Sequence, residues 1–252
     1  MSNAIIDCRW TSDADQKFIR DWQLVENTVF GIFNDEMIDR KYFKNIYGPS
    51  VLAVAYLDDV PVGADALWRN DINGEETYFS SDTCVLPVAR GKGVMTGLIQ
   101  AKMSLVPKDV SLYGSPNAKS YGGFVKKGWK DLPLYKGILT LPIFYTKEYP
   151  DFMPNEYAKW WIVGENKYHL KRFGHYYLVS SIPNKKYIMN LIAEVDEQTA
   201  MCYPRYKGFA LYIYRTKNKP LLPLLNKVSY NHISWNGDPS IMPYWKVDGY
   251  CE

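Results

Sequence analysis

The stretch Val85–Leu98, VLPVARGKGVMTGL, decides how this chain is read. A β-branched run closes at Pro87, two glycines flank Lys92, and an apolar-periodic segment follows. Tyr78–Val85 is rich in Tyr, Phe, Thr and Val, which suits a strand, whereas Val94, Leu98 and Ala101 recur at helical spacing. Gly91 and Gly93 therefore fall in a turn between a strand and a helix. Such a turn suits an anion. Glycine lets the main chain approach closely, and the first amides of a helix are unpaired donors at its positive end. Arg90 and Lys92 add positive charge, so a pyrophosphate would be held mainly by main chain with side chains secondary.

Spacing separates the phosphate loops that could stand here. A Walker A loop ends in Gly-Lys-Ser/Thr, but Lys92 is followed by Gly93 and Val94. The dinucleotide fingerprint places a third glycine where Thr96 stands, and Gly97 comes one residue late. The segment does resemble motif A of the GCN5-related N-acetyltransferases (GNAT family), whose pattern is Gln or Arg, two residues, Gly, one residue, then Gly or Ala. Arg90, Gly93 and Met95 occupy those positions, and Met95 departs from the pattern. Downstream, GSPNAKSYGGFVKKGW (Gly114–Trp129) resembles motif B of the same family, in register at Asn117, Ser120, Phe124 and Gly128-Trp129. Together the two segments are similar to a bacterial branch often found among surface-polysaccharide genes. The resemblance covers roughly the first half of the chain and only faintly the second.

That resemblance implies an α/β (α+β) fold, a mixed and mostly antiparallel sheet flanked by helices. It also implies transfer of an acetyl group from acetyl-coenzyme A to the amine of a small molecule, an amino sugar among them, by direct attack in a ternary complex. Protein amines remain open as acceptors, and a non-catalytic acyl-coenzyme A-binding module is the alternative. On the family pattern the Val85 amide faces the thioester oxygen. Arg90, Gly91, Lys92, Gly93, Val94, Met95 and Thr96 hold the pyrophosphate, and Asn117, Ser120 and Phe124 complete the donor site.

The amine must lose a proton, the carbonyl must be polarised and the thiolate must be stabilised. Asp82 is the first candidate base. Strand alternation would face it with Ser80 and Cys84 and away from Val85, and its other reading is a hydrogen-bonded buried acid that fixes loop amides. Phe124 stands where the family carries an acid tyrosine. Tyr121, three residues earlier on nearly the same helical face, is the candidate acid, with solvent as the alternative. Cys84 reads as a small core residue, because no histidine lies near it in sequence. His169, His175 and His232 match no metal spacing, and no metal is expected. Asp65, Trp68 and Arg69 read either as acceptor contacts or as a solvated hairpin tip.

The 252 residues suffice for one large domain or two small ones, and 47% hydrophobic against 23% charged residues is an ordinary globular balance. Two lobes are expected, 1–145 and 146–252. The second is β-rich, and YHLKRFGHYYLV (Tyr168–Val179) resembles a motif in the C-terminal lobe of the polysaccharide-linked acetyltransferases, which suggests a degenerate second acetyltransferase-like lobe. The net charge of +3 is scattered, which argues against a nucleic-acid partner. Cys8, Cys84, Cys202 and Cys251 form no CxxC pair and suit reduced thiols in a cytoplasm. Neither a secretory signal nor an apolar run long enough for a membrane span stands out. Oligomeric state is left open.

Overall fold

The computed structural model describes residues 4–31, 35–72, 74–132, 137–140, 155–161, 168–173, 176–181, 188–207, 211–215, 225–226 and 233–237. The chain forms two compact units, 1–133 with 230–241, and 134–229 with 242–252. The expected lobe boundary at 145/146, together with His175, His232 and Cys251, falls outside the described residues.

The first unit opens with β1 (Ile5–Trp10) and α1 (Gln16–Phe30). Asp15 caps α1, its carboxylate accepting the Phe18 N–H at 2.9 Å. Gly31 ends the helix at φ +90°, a conformation that costs other residues dearly. A short α2 (Asp35–Ile38) runs into a π-helical turn, Asp39–Phe43. β2 (Val51–Leu57) and β3 (Val60–Arg69) are joined by Asp58 and Asp59, both at positive φ, as a tight hairpin requires. β4 (Thr77–Val85), α3 (Val94–Leu105), β5 (Ser111–Gly114), α4 (Ala118–Val125) and β6 (Lys130–Asp131) follow.

β2 is buried residue after residue from Val51 to Ala55, which a strand covered on both faces must be. Val51, Ala53 and Ala55 pack with Val94, Leu98 and Ile99 of α3. α1 meets β3 and β4 through a stripe that includes Phe18, Trp22 and Val25. Close approach of α3 is made possible by Gly63, where a Cβ would come within 3.0 Å of Leu98 and Val94.

The second unit contains β7 (Gly137–Thr140), α5 (Asn155–Trp161), β8 (Tyr168–Phe173), β9 (Tyr176–Ser181), β10 (Ile188–Val195), α6 (Glu197–Ala200), β11 (Leu211–Arg215) and β12 (Leu225–Asn226). Its sheet runs β12-β7-β11-β10-β9-β8, antiparallel except for β10 with β11. β13 (Ile233–Trp235) then joins the first sheet, whose order is β1-β2-β3-β4-β5-β13-β6. Among the described residues only β4 and β5 are parallel there. Both units therefore have the mixed, mostly antiparallel character expected of the fold class. Among the described residues no helix is long and apolar enough to cross a membrane.

Candidate active site

The β4–β5 ladder runs from Thr77 opposite Ser111 to Ser80 opposite Gly114 and stops. Past Ser80 a cleft of about 730 Å³ opens. Its walls are Thr83, Cys84 and Val85 of β4, Arg90, Gly91 and Gly93–Thr96 of the turn and α3, Asn117 and Ser120 at the start of α4, and Val29 and Phe30 at the end of α1. Arg90, Lys119 and Lys126 line it, and no acidic residue does among the described lining residues.

Gly91 and Gly93 stand at φ +74° and +79°, and Gly93 is the N-cap of α3. A Cβ at either would meet nothing within 4 Å, so backbone conformation, not crowding, calls for glycine. The Gly97 N–H makes the first helical bond, to the Gly93 carbonyl at 3.0 Å. The amides of Val94, Met95 and Thr96 lie ahead of the ladder, at the cleft. Met95 sends its side chain toward α4, where a Cβ on Gly123 would come within 2.6 Å of its Cε, so its bulk is taken up between the helices. Arg90 donates from Nε to the Val85 carbonyl at 3.0 Å, which ties the turn to the end of β4. Asn117 caps α4 through the amides of Lys119 and Ser120.

Four of the predicted residues stand differently from the rest. Lys92 is exposed and is not among the lining residues. Phe124 is core: it stacks edge-on against Trp129 at 5.0 Å and carries the Lys102 ammonium over its ring. Tyr121 donates its hydroxyl to Asp131 at 2.9 Å, a bond that raises its pKa, and it too is absent from the lining. The strand alternation breaks at Asp82. Ala64 pairs with Cys84 but Ala66 with Ser81, so Asp82 and Thr83 together oppose Asp65 in a β-bulge. Asp82 sits there at φ +56°, a strained position for a side-chain-bearing residue.

The bulge puts Ser81 and Asp82 on one side, in reach of the π-helical turn. Lys41 Nζ donates to Asp82 Oδ2 at 2.7 Å, Ser81 Oγ does so at 3.3 Å, and the Tyr42 hydroxyl bonds the same oxygen. Ser80, expected to face with Asp82 and Cys84, instead accepts from Lys102 of α3 at 2.6 Å. Lys102 also donates to the Ala66 carbonyl and pairs with Asp65, both residues wholly buried. Asp65 in turn accepts from Thr83 Oγ1 at 2.7 Å and the Ala66 amide at 2.9 Å, which pins the bulge from beneath. Burial raises the Asp65 pKa and lowers that of Lys102, and their mutual attraction opposes both shifts. Asp65 and Trp68 are therefore interior, and Arg69 is tied to Asp71, so the solvated-tip reading fails for the first two. Cys84 is buried and points its thiol at Glu26, and burial followed by that carboxyl raises its pKa.

Glu26 is the residue that reasoning from sequence missed. It is wholly buried, and desolvation, then the charge of Asp82, raises its pKa well above the usual carboxylate value. The signal was present: Phe18, Trp22 and Glu26 follow one another at four-residue spacing, so a carboxylate stands in the apolar stripe of α1. A stability consequence follows. Between the unfolded pKa of about 4.3 and the raised folded value, the unfolded chain sheds a proton that the native state keeps. Stability conferred by the protonated group is full below the lower value and is lost as pH rises. Glu26→Gln is expected to flatten that decline by up to about 1.4 kcal/mol per pH unit across the interval, read as urea midpoints of both proteins over a pH series.

No family model and no curated protein matches the chain. Solved structures do. A GCN5-related N-acetyltransferase from Anabaena variabilis aligns at a TM-score of 0.57 and 13% identity, over 90% of this chain and 72% of that one. Another from Kribbella flavida aligns at 0.54 and 13%, over 90% and 71%. What is shared at such identities is the architecture, and the chain has the fold of the GCN5-related N-acetyltransferases.

Proposed function

We propose that this protein is a cytoplasmic N-acetyltransferase that moves an acetyl group from acetyl-coenzyme A to the amine of a small molecule. One observation carries the reading: the cleft beyond the β4–β5 ladder ends on the left-handed glycines and first amides of α3, in a lining that holds three cations and, among the described residues, no acid. Backbone donors, helix dipole and side-chain charge there all suit a pyrophosphate. The pantetheine arm would then run along the parted strands toward Cys84 and Val85. The acceptor nitrogen attacks the thioester carbonyl, whose developing negative charge needs a preorganised donor, and main chain at Val85 is the candidate. No covalent enzyme intermediate is needed. An amino sugar is the acceptor class that the sequence resemblance favours, and the second unit is read as its degenerate companion lobe.

The engagement of Asp82 by Lys41 and of Tyr121 by Asp131 favours a second reading, a non-catalytic acyl-coenzyme A-binding module. Both readings require donor binding. Calorimetric titration with acetyl-coenzyme A and with coenzyme A is expected to give saturable binding, weakened about 10- to 100-fold, or ~1.4–2.7 kcal/mol, by Gly93→Asp. The substitution sets a negative charge against the phosphates and adds backbone strain at positive φ. Absence of binding to the unaltered chain overturns both readings. Acetyl transfer to any amine in a screen excludes the module.

A further inference from the structure

Two helices that pack on the first sheet, α1 and α3, each bury one charged residue. In α3 it is Lys102, four residues after Leu98, and it has its counter-ion in Asp65. In α1 it is Glu26, four residues after Trp22. Its Oε1 accepts from the Cys84 thiol at 3.3 Å, and among the described residues Oε2 has no hydrogen-bond partner at all. A buried oxygen left so is costly to the fold, and a donor brought by a ligand would remove that cost. The position suits such a ligand. Cys84 lines the cleft, as do Val29 and Phe30, three and four residues further along α1. Glu26 thus stands directly behind the wall that those three make. Asp82, by contrast, already has three donors on Oδ2.

We propose that Glu26 is the proton acceptor for the acceptor amine: an ammonium bound beside Cys84 supplies the donor that Oε2 lacks, and Glu26 takes the proton it sheds. The inference rests on the transferase reading. The bound ammonium first displaces the acid's own proton to solvent; it then gives its first proton to the Glu26 carboxylate so formed, and the freed lone pair forms the C–N bond as the C–S bond breaks. The nitrogen's second proton goes to the departing thiolate, and Glu26 returns the first to solvent. The groups that face Glu26 set when it can act. Asp82 of β4 and Asp65 of β3 disfavour its ionised form, while Lys41 of the π-helical turn and the Cys84 thiol favour it. An arriving ammonium adds to the second set.

Difference infrared spectroscopy on the full chain, with ethylammonium chloride as probe and sodium chloride as control, tests this without an acyl donor. Ethylammonium is small enough to enter a cleft shaped for any amine. The expected result is a carboxylic-acid band at neutral pH that Glu26→Gln removes, and that ethylammonium converts to carboxylate absorption in the unaltered chain and in Asp82→Asn. Glutamine has the shape and charge of the protonated acid, so that variant keeps the packing. A band that ethylammonium leaves unchanged, or that persists in Glu26→Gln, overturns the proposal. Failure of acetyl-coenzyme A to bind is a separate result that overturns the transferase reading alone.

Discussion

Replacing Lys102 with methionine is expected to destabilise the protein by roughly 3–5 kcal/mol, the usual effect of removing one partner from a buried ion pair. Lys102 and Asp65 are both wholly buried, and the ammonium serves three acceptors at once: Asp65, Ser80 and the Ala66 carbonyl. Without it the Asp65 carboxylate keeps only Thr83 and one backbone amide as donors. Its second oxygen, Oδ2, has no partner among the described residues even in the intact protein. Desolvation, already the largest influence on Asp65, would then act unopposed by a counter-charge and push the carboxyl toward its protonated form. Lys102→Met should therefore lose further stability as pH rises, since ionising the stranded acid costs more in the native state than in the unfolded one. The double variant Lys102→Met with Asp65→Leu removes the stranded charge and is expected to regain most of the loss. Urea midpoints at constant m-value measure both. If the single and double variants lose equally, the pair contributes packing and not charge balance.

Trp22→Ala is expected to cost about 3–5 kcal/mol, the range for emptying an aromatic site in a core. Trp22 is wholly buried, meets Tyr42 edge-on at 5.2 Å between ring centres, and donates its indole N–H to the Asp65 carbonyl at 3.2 Å. The cavity would open beside the phenol that holds Asp82 at its strained φ, so damage should reach the bulge as well as the core. Trp22→Phe keeps an aromatic contact with Tyr42 but leaves that carbonyl without its donor, and is expected to cost about 1–3 kcal/mol. Comparing the two by urea denaturation separates the volume of the indole from its hydrogen bond. Near-equal losses would show that the hydrogen bond, not the filled volume, is what Trp22 provides.

The elements that the sequence made legible are those whose local chemistry and burial agree. β2 is legible over Val51–Leu57 because an apolar run bounded by Gly48-Pro49 and Asp58-Asp59 leaves little choice. The turn at Gly91 and Gly93 was readable because positive φ there demands glycine. Asp82 was placed on the correct strand and away from Val85, as expected, with Cys84 also toward α1, but Ser80 turns to Lys102 on the other face, since a bulge is set by what packs beneath it, here Asp65 and Lys102, and not by residues 82–83 themselves. The helical spacing of Tyr121 was sound as well, but its hydroxyl is claimed by Asp131, a partner ten residues away. The run Val228–Trp235 reads as a strand, but the destination of its described part, Ile233–Trp235, was not visible, because pairing with Gly114 and Asp131 is a matter of long-range register.

That last strand bears on how the molecule can be made. Trp235 packs where a Cβ on Gly128 would come within 2.8 Å of its ring, and the Asn236 side chain donates to the Lys108 carbonyl at 2.8 Å. A ribosome releases this piece only after residues 134–229 of the second unit, so the first unit waits for its seventh described strand through nearly a hundred residues that belong elsewhere. Until then β5 presents an unpaired edge, the kind of surface on which chains add to one another. A fragment cut after residue 133 would keep that edge permanently, so the first unit has to be excised with its distant strand or not at all.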